Sequence, residues 1–379
     1  MAKYRFDQIA INSIEKKKPV EEDRFTYIGL EHLDSGSLTV SRYGSDVAPV
    51  GEKLIMHKGD VLFGKRRAYQ KKVAIAPFDG IFSAHGMVLR PREEVVDKGF
   101  FPLFISSDYF LNAAIHISVG SLSPTINWKD LRELEFELPD LDTQRKLSQV
   151  LWAIINTVEA YKHLIAVSDE LVKSQFIDSF GIPEYNRHGY EIGKIGDVVR
   201  DVHYGTSKKA SDNGEYTYLR MNNITYGGEL DLSDIKRISV PEKELPGCMV
   251  RKGDVLFNRT NSRDLVGKTC AFNLDEPMII AGYIIRLRMN GRVLPTYLST
   301  FLNLESSKKM LFDMAKGAVG QANINAQEVQ DIELVIPPID AQKPFQALVQ
   351  QLDKSKHSAQ KALEDLQATQ KALIRKYLG

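Results

Sequence analysis

The sequence MHKGDVLFGKRRAYQKK, residues 56–72, returns later in the chain as VRKGDVLFNRTNSRDLVGK, residues 250–268. Six consecutive residues, KGDVLF, are identical in the two copies. The glycine predicts a turn, and the apolar residues that follow it predict a short buried strand. The same turn and strand therefore occur twice, and the two copies differ in the polar residues that come next.

The repeat extends well beyond these six residues. Three other segments have counterparts in the same order: YIGLEHL (27–33) with YLRMNNI (218–224), GSLSPTIN (120–127) with GAVGQANIN (317–325), and LRELEFELPDLDTQ (131–144) with VQDIELVIPPIDAQ (329–342). Matching segments in one order indicate that the first half of the chain is duplicated, with small insertions in loops.

Composition limits the class of protein. The 379 residues include 50 basic and 49 acidic side chains, so a polyanionic partner must be met by local basic patches and not by overall charge. The two cysteines, Cys248 and Cys270, form no CxxC motif, which argues against a disulfide framework or a zinc site. The N-terminus lacks the apolar run of a signal peptide, and we expect a soluble, cytoplasmic protein.

Each half has the same internal order. About 140 residues with short β-branched and aromatic runs predict a β-rich α/β domain, and about forty residues with apolar spacing i, i+3, i+4, i+7 predict a long helix. Asp142 and Asp340 are predicted to cap the two helices. Each helix has a narrow apolar seam, so the two are expected to pair. The predicted pairing residues are Leu147, Leu151, Ile154, Val158 and Ile165 in the first helix, and Leu348, Leu352, Leu363, Leu366 and Leu373 in the second.

The predicted fold is therefore α/β: two pseudo-repeated β-rich α/β domains separated by two long antiparallel coiled-coil helices. The predicted boundaries are 1–140 for the first domain, 141–181 for the central helix, 182–338 for the second domain and 339–379 for the C-terminal helix. A helix of about 38 residues is roughly 57 Å long, so the pair could act as a spacer between two reading domains.

Polar loops at equivalent positions use different side chains in the two halves. Arginine can make two hydrogen bonds to guanine, asparagine or glutamine can do so to adenine, and lysine suits phosphate. We therefore predict DNA contacts from both halves. In the first half the candidates are Lys17, Lys18, His32, Lys65, Arg66, Arg67, Tyr69, Lys71, Ser121 and Ser123. In the second they are Tyr204, Thr206, Lys208, Lys209, Asn222, Asn223, Asn258, Arg259, Asn261, Arg263, Gln321, Asn323 and Asn325.

The duplicated order resembles the specificity subunit of type I restriction–modification systems. The resemblance spans essentially the whole chain and rests on the KGDVLF pair, on GQANIN (320–325), on the LPDLDTQ and VIPPIDAQ junctions that open the helices, and on YGTSKKA (204–210), which looks like the opening of a target recognition domain. In the first domain SIEKKKP (13–19) stands where Tyr-Gly-Thr would be expected, so phosphate contact is the safer role for its lysines.

The resemblance implies a division of labour. Each domain would bind one half of an asymmetric, bipartite DNA target, and the helices would set the spacer and dock two methyltransferase subunits. These partners would carry S-adenosylmethionine and methylate adenine. A restriction subunit, a translocase-nuclease that uses ATP and Mg, would cut unmodified DNA. The chain itself would bind no cofactor or metal and would have no catalytic residues.

The sequence agrees with a non-catalytic chain. Pro337-Pro338 lies between two isoleucines and does not form the Asn/Asp-Pro-Pro-Tyr/Phe motif of adenine methyltransferases, and neither a GxxxxGK[ST] loop nor HExxH occurs. Two alternatives remain at this point. One is a metal-dependent DNA nuclease that uses Asp7 and the segment Glu15-Lys16-Lys17, and the other is a structural adaptor that acts through its helices alone.

Overall fold

The structure is a computed structural model that describes residues 1–315 and 322–378. The chain divides into two compact units. Unit 1 contains Met1–Ala160 with Ala362–Gly379, and unit 2 contains Tyr161–Lys361. Both long helices, Leu141–Phe180 and Ile339–Leu378, contribute residues to both units, because the unit boundaries fall within the helices.

The strands and helices up to the central helix are as follows: β1 Ala2–Arg5, α1 Phe6–Ile9, β2 Ala10–Ser13, β3 Lys16–Lys17, β4 Tyr27–Ile28, β5 Lys53–Met56, β6 Val61–Phe63, β7 Val73–Ile75, β8 Gly80–Phe82, β9 Met87–Pro91, α2 Phe100–Ile105, α3 Asp108–His116, α4 Trp128–Leu131, β10 Glu135–Leu138 and α5 Leu141–Phe180.

The second half continues with β11 Glu191–Lys194, β12 Val199–Tyr204, β13 Tyr216–Leu219, β14 Lys236–Ile238, α6 Leu245–Cys248, β15 Met249–Val250, β16 Asp254–Asn258, β17 Thr260–Asn261, β18 Thr269–Ala271, β19 Met278–Ile280, β20 Ile284–Met289, α7 Pro295–Asn303, α8 Glu305–Met314, β21 Ala322–Asn323, α9 Ala326–Gln330, β22 Glu333–Ile336 and α10 Ile339–Leu378.

Most strands of the two units correspond, which confirms the duplication; the exceptions are β3 and β14, at opposite edges of the third sheet, and the ribbon β17-β21. The ribbon β1-β10 of unit 1 matches β11-β22 of unit 2, and the sheet β2-β9-β6-β7 matches β12-β20-β16-β18. A third sheet contains β5-β8-β4 in unit 1 and β15-β19-β13 in unit 2. In both units this sheet has one parallel pair, β4 with β8 and β13 with β19.

The KGDVLF identity has a physical explanation in the turn that it forms. Gly59 and Gly253 have φ values of +94° and +93°, which glycine adopts without steric cost. The aspartate that follows each glycine is buried and holds an arginine of the neighbouring strand: Asp60 binds Arg90, and Asp254 binds Arg288. The predicted turn and buried strand are therefore confirmed, and the aspartate adds a buried ion pair.

Aromatic clusters form the cores and include the ends of both long helices. In unit 1, Leu147 of α5 belongs to the same cluster as Phe6 and Phe136, and Ile374 and Tyr377 of α10 pack against it. In unit 2, Phe176 and Phe180 of α5 contact Phe345 of α10, with ring centroids 5.6 and 5.4 Å apart. The start of each long helix therefore lies against the end of the other, which makes the pair antiparallel.

The predicted seam residues fall into two groups. Those buried are Leu147, Leu151, Ile154, Val158 and Leu363. Those half-buried are Ile165, Leu348, Leu352, Leu366 and Leu373. The predicted cap at Asp142 is wrong, because α5 begins one residue earlier and Asp140 accepts a hydrogen bond from the backbone N–H of Thr143 at 2.8 Å. Asp340 likewise lies within α10, where it pairs with Lys343.

Among the described residues, α5 alone is long and apolar enough to cross a membrane by length and composition. Its apolar side chains have protein partners at both ends, since Leu147 lies in the unit 1 core and Phe176 and Phe180 lie in the unit 2 core. We therefore interpret α5 as a member of the helix pair.

Candidate nucleic-acid interface

In unit 1 the basic segment after KGDVLF pairs with a loop much later in the chain. Arg66 and Val119 both form antiparallel bridges with Thr125, and the backbone N–H of Ile126 donates to the carbonyl of Lys65 at 2.9 Å. We call residues 64–72 and 118–126 the unit 1 loop pair. The pairing fixes the backbone of both polar segments on one surface.

Unit 2 repeats this backbone arrangement with other side chains. Thr260 pairs with Asn323 in the register of β17 and β21, and the N–H of Ile324 donates to the carbonyl of Arg259 at 2.9 Å. Arg259 therefore occupies the position of Lys65. We call residues 258–268 and 322–326 the unit 2 loop pair. The predicted match between GSLSPTIN and GQANIN becomes a structural equivalence over the residues that the structure describes.

The unit 1 loop pair is electropositive. The Nε of Arg66 donates to the hydroxyl of Ser123 at 3.1 Å, and its guanidinium lies 3.4 Å from the ring of His85. Burial lowers the pKa of Lys65, and the nearby charge of Lys16 lowers it further. Burial likewise lowers the pKa of His85, with added effects from Arg66 and Lys65. Several cationic groups thus share one surface, which suits a polyanion.

The same surface carries exposed residues on both loops. Arg67 has a left-handed backbone conformation with φ +54°, and it is exposed together with Tyr69 and Ser121. Leu122, which was not among the predicted contact residues, is 93% exposed in the second loop, next to Ser123. An apolar residue in a polar loop is the signal that could have identified it. His85 was also missed, and only its contact with Arg66 reveals it.

In unit 2 an arginine is held in place by an aromatic ring. The guanidinium carbon of Arg259 lies 4.7 Å from the ring centre of Tyr204. The Tyr204 hydroxyl accepts a hydrogen bond from the backbone N–H of Ala326 at 2.9 Å, so the ring is fixed to the second loop. Cation–π stacking restricts the arginine rotamers before any ligand binds, which reduces the entropy lost on binding.

Asparagines add hydrogen-bonding groups beside Arg259. The side-chain oxygen of Asn261 accepts from the backbone of Ser262 at 2.9 Å, and Asn261 is partly exposed. Asn323 accepts from the Thr260 hydroxyl at 2.9 Å. In both cases the side-chain oxygen is bound by a neighbour within the loop pair, so the amide donor group is the part that can meet an acceptor.

Four predicted contact residues make hydrogen bonds that have structural roles. Asn223 and Asn258 are buried, and Asn258 has no exposed surface. The amide of Asn223 donates to the carbonyls of Asp231 and Asp234, and that of Asn258 donates to Met221. His32 accepts from the backbone of Gly29, as Asn223 does from Arg220. Asn325 caps α9 by accepting from the N–H groups of Gln327 and Glu328.

Other predicted residues lie outside the two loop pairs or are bound to neighbours. The charged or amide groups that have partners are Lys17 with Asp23, Lys71 with Asp108, Lys208 with Glu244, Asn222 with Asp234, and Arg263 with the carbonyl of Phe312. Lys18 and Lys209 are exposed, and Thr206 lies on the strand end next to Tyr204. Gln321 is outside the described residues. DNA contact by any of these residues stays a prediction.

The geometry gives no support to the nuclease alternative. Asp7 pairs with Arg5 at 2.6 Å, and Glu15 pairs with Arg90 at 3.2 Å, so arginines already occupy both carboxylates. Over residues 1–315 and 322–378, no group of three or more His, Cys, Asp or Glu side chains is placed to hold a metal ion.

Comparison with known proteins identifies the family. The profile described as "Type I restriction modification DNA specificity domain" matches residues 12–167 and 188–367, once in each half of the duplication. The chain belongs to the family of type I restriction–modification DNA specificity domains. Because the same profile matches both segments, the two halves are counterparts of each other, in agreement with the correspondence of their strands.

Individual members of the type I specificity family are distant relatives. The chain is similar to the EcoKI specificity subunit of Escherichia coli K12, with 23% identity over 73% of this chain and 62% of that protein. It is 21% identical to the StySPI specificity subunit of Salmonella potsdam over 81% of this chain and 68% of that protein. The chain thus spans somewhat under two thirds of the length of its EcoKI relative.

Solved structures share the fold. The S subunit of a type I restriction–modification system from M. genitalium superposes with a TM-score of 0.64, covering 99% of this chain and 95% of that one at 14% identity. A chain from a study of complex assembly and conformational transition in a type I system gives a TM-score of 0.53 at 20% identity, covering 100% and 97%. The predicted architecture of two α/β domains and two long helices is confirmed.

Proposed function

We propose that the chain is the DNA-recognition subunit of a type I restriction–modification complex, and that each unit reads one half of a bipartite duplex target. The observation that carries this is the repeated loop pair. The same backbone pairing presents Lys65 and Arg66 in unit 1 but Arg259 and Thr260 in unit 2. A conserved frame with different polar groups suits two related domains that read two different short sequences.

Within this proposal the side chains divide into two roles. Lysines and Arg67 contact phosphates and fix the register on the duplex, whereas Arg259 and Asn261 reach base edges in the major groove. The two long helices set the unspecified spacer. At forty residues each, they are about 60 Å long, equivalent to roughly 18 base pairs of duplex.

The chemistry belongs to partners. We propose two methyltransferase subunits that bring S-adenosylmethionine and restriction subunits that bring ATP and Mg, with no cofactor held by this chain. Its site of action would be the cytoplasm. Two basic loop pairs on an almost neutral chain agree with a binding role, and the arginine partners of Asp7 and Glu15 speak against a nuclease centre.

The test begins with sequencing of methylated adenines in a genome that carries the complete system, which identifies the two half-sites and the spacer. Duplexes with single changes in either half-site are then compared for methylation by complexes that contain wild-type chain, Arg259→Ala or Lys65→Ala. Arg259→Ala should relax base preference in one half-site only, costing about 1–3 kcal/mol of discrimination if it reads guanine. Methylation that has no bipartite preference in the wild type would refute the proposal.

A further inference from the structure

Gln144 lies in the first turn of α5 and is 1% exposed. Its side-chain oxygen accepts from the backbone N–H of Asp97 at 2.8 Å. Its amide group donates to the carbonyl of Val95 at 3.1 Å and to that of Pro139 at 2.8 Å. One side chain therefore joins the start of the helix, the segment before it, and a loop of unit 1.

Gln342 makes the corresponding contacts at the start of α10, with 0% exposure. Its oxygen accepts from the N–H of Leu294 at 2.8 Å. Its amide group donates to the carbonyl of Arg292 at 3.1 Å and to that of Pro337 at 2.7 Å. The same three-bond arrangement thus occurs in both units, although the sequences of the two loops differ.

The loops bound by these glutamines occupy equivalent places. Residues 95–97 lie between β9 and α2, and residues 292–294 lie between β20 and α7. Strands β9 and β20 carry Arg90 and Arg288, the partners of the KGD aspartates. Each long helix is therefore connected to the KGD turn through three steps: the hydrogen bonds of the glutamine, a few residues of chain, and the ion pair of the arginine with the aspartate.

We infer that Gln144 and Gln342 are positioning residues that fix the angle between each long helix and the domain before it, and so set the spacer length that the complex accepts. This inference rests on the proposed function. A tilt of about 5° displaces the far end of a helix of about 60 Å by about 5 Å, more than the 3.4 Å rise of one base pair. A loose joint would therefore admit targets with a longer or shorter spacer.

The amide side chain is the group that this joint needs. Two donors and one acceptor are used, and every partner is a backbone group, of which the carbonyls of Pro139 and Pro337 belong to buried residues. Glutamate lacks both donors and would bring a buried charge, so Gln→Glu risks unfolding. Methionine keeps the length and volume of the side chain and removes its hydrogen bonds, and it is the better probe.

The joint can be tested without DNA. Full-length chain is compared with Gln144→Met and Gln342→Met by amide hydrogen exchange. The N–H groups of Asp97 and Leu294, which donate to the glutamines, should exchange faster in the matching variant, by about tenfold or more for one lost buried hydrogen bond. Ser107→Ala is the control, because it removes a buried helix cap of unit 1 away from the joint. Unchanged exchange at both amides would overturn the inference.

The functional arm uses the full chain with its methyltransferase subunits on duplexes that contain both half-sites and spacers one base pair longer or shorter. The joint variants should lose roughly tenfold in their preference for the native spacer, with base preferences in each half-site unchanged. Ser107→Ala should keep the wild-type spacer profile. If the wild type has a sharp spacer preference and both methionine variants keep it, the inference about Gln144 and Gln342 is refuted and the proposed function is not. A wild type that methylates no bipartite sequence would instead refute the proposed function.

Discussion

Asp254 and Arg288 form an ion pair with two hydrogen bonds inside unit 2, with Nε to Oδ1 at 2.8 Å and Nη2 to Oδ2 at 2.9 Å. Asp60 and Arg90 do the same in unit 1, at 2.9 and 3.0 Å. The identity of the two KGDVLF segments is thus a requirement of internal structure, and it allows the neighbouring loops to differ.

Replacement of Asp254 should destabilise unit 2 strongly. Asp254→Ala removes both hydrogen bonds of the partly buried Arg288 guanidinium and leaves it only Asp201 at 3.5 Å, so a loss of about 3 kcal/mol in the free energy of unfolding is expected. Urea unfolding measures it as a lower midpoint. Lys252→Ala is the control, because the pair between Lys252 and Asp275 is exposed, and its midpoint should not change. Equal effects of the two substitutions would contradict the structural role of Asp254.

Asn258 and Asn261, which both follow KGDVLF closely, should differ in their effects on stability and on base preference. Asn258→Ala removes buried hydrogen bonds to Met221 and Thr260, so the free energy of unfolding should fall by about 1–3 kcal/mol. Asn261→Ala removes a partly exposed amide, and its unfolding midpoint should stay near that of the wild type. Its effect should be a relaxed base preference in one half-site, measured by methylation of variant duplexes. A stable Asn258→Ala protein with altered preference would reverse these assignments.

The buried amine of Lys308 should make the stability of unit 2 depend on pH. Its Nζ lies 4.6 Å from the ring centre of Tyr226 and has no hydrogen-bond partner among the described residues. Burial lowers the pKa of Lys308 to about 8, and the charges of Lys268 and Lys173 add to the effect. Below pH 8 both the folded and unfolded states hold the proton, and the folded state carries the cost of a buried charge.

Between that pKa and the ordinary lysine value of 10.5, only the unfolded state keeps the proton, so stability should rise with pH. Lys308→Met should therefore raise the free energy of unfolding at pH 7 by about 2–3 kcal/mol, and this advantage should disappear as the pH approaches about 10.5. Denaturant unfolding at several pH values measures the difference. Lys309→Met, at the exposed neighbouring position, should show no such trend. If the stability advantage of Lys308→Met increased with pH, the prediction would be contradicted.

The phase of the helix seam can be checked on α5. Ile154 is 8% exposed, whereas Val150, one turn earlier and about 40° further round the helix, lies at the edge of the seam and is 49% exposed. Ile154→Ala should lower the free energy of unfolding by about 2–4 kcal/mol, and Val150→Ala should have a much smaller effect. Thermal unfolding followed by circular dichroism at 222 nm would compare them. A larger loss for Val150→Ala would centre the seam on Val150 and not on Ile154.

The sequence predicts the duplicated architecture well because repeated identity and helical periodicity are local signals. KGDVLF indicates its own turn and strand, and the spacing of Leu147, Leu151, Ile154 and Val158 indicates one helix face that the structure buries. Boundaries are less certain, because Asp140 and Asp142 are equally suitable caps by residue type and only the backbone path selects Asp140.

The site is harder to predict because residue type does not report burial. Asn258 and Asn261 look alike in the sequence, yet the strand direction buries Asn258 and leaves Asn261 at the surface. Asn325 looks like a reader of adenine in the sequence, and only the structure shows that its side-chain oxygen caps α9. The stacking of Arg259 on Tyr204 joins residues that are distant in the chain, and no local pattern announces it.

The bridges between Arg66 and Thr125, and between Thr260 and Asn323, limit how a new target could be engineered. The segment after KGDVLF forms backbone hydrogen bonds with a loop some sixty residues further on. If only one of the two segments were replaced, the backbone groups of the other could lose their partners. A chimera that exchanges both segments together keeps the hydrogen bonds between the two segments. Evolution of new specificities in such chains is correspondingly expected to proceed by recombination of whole domains more readily than by single-loop exchange.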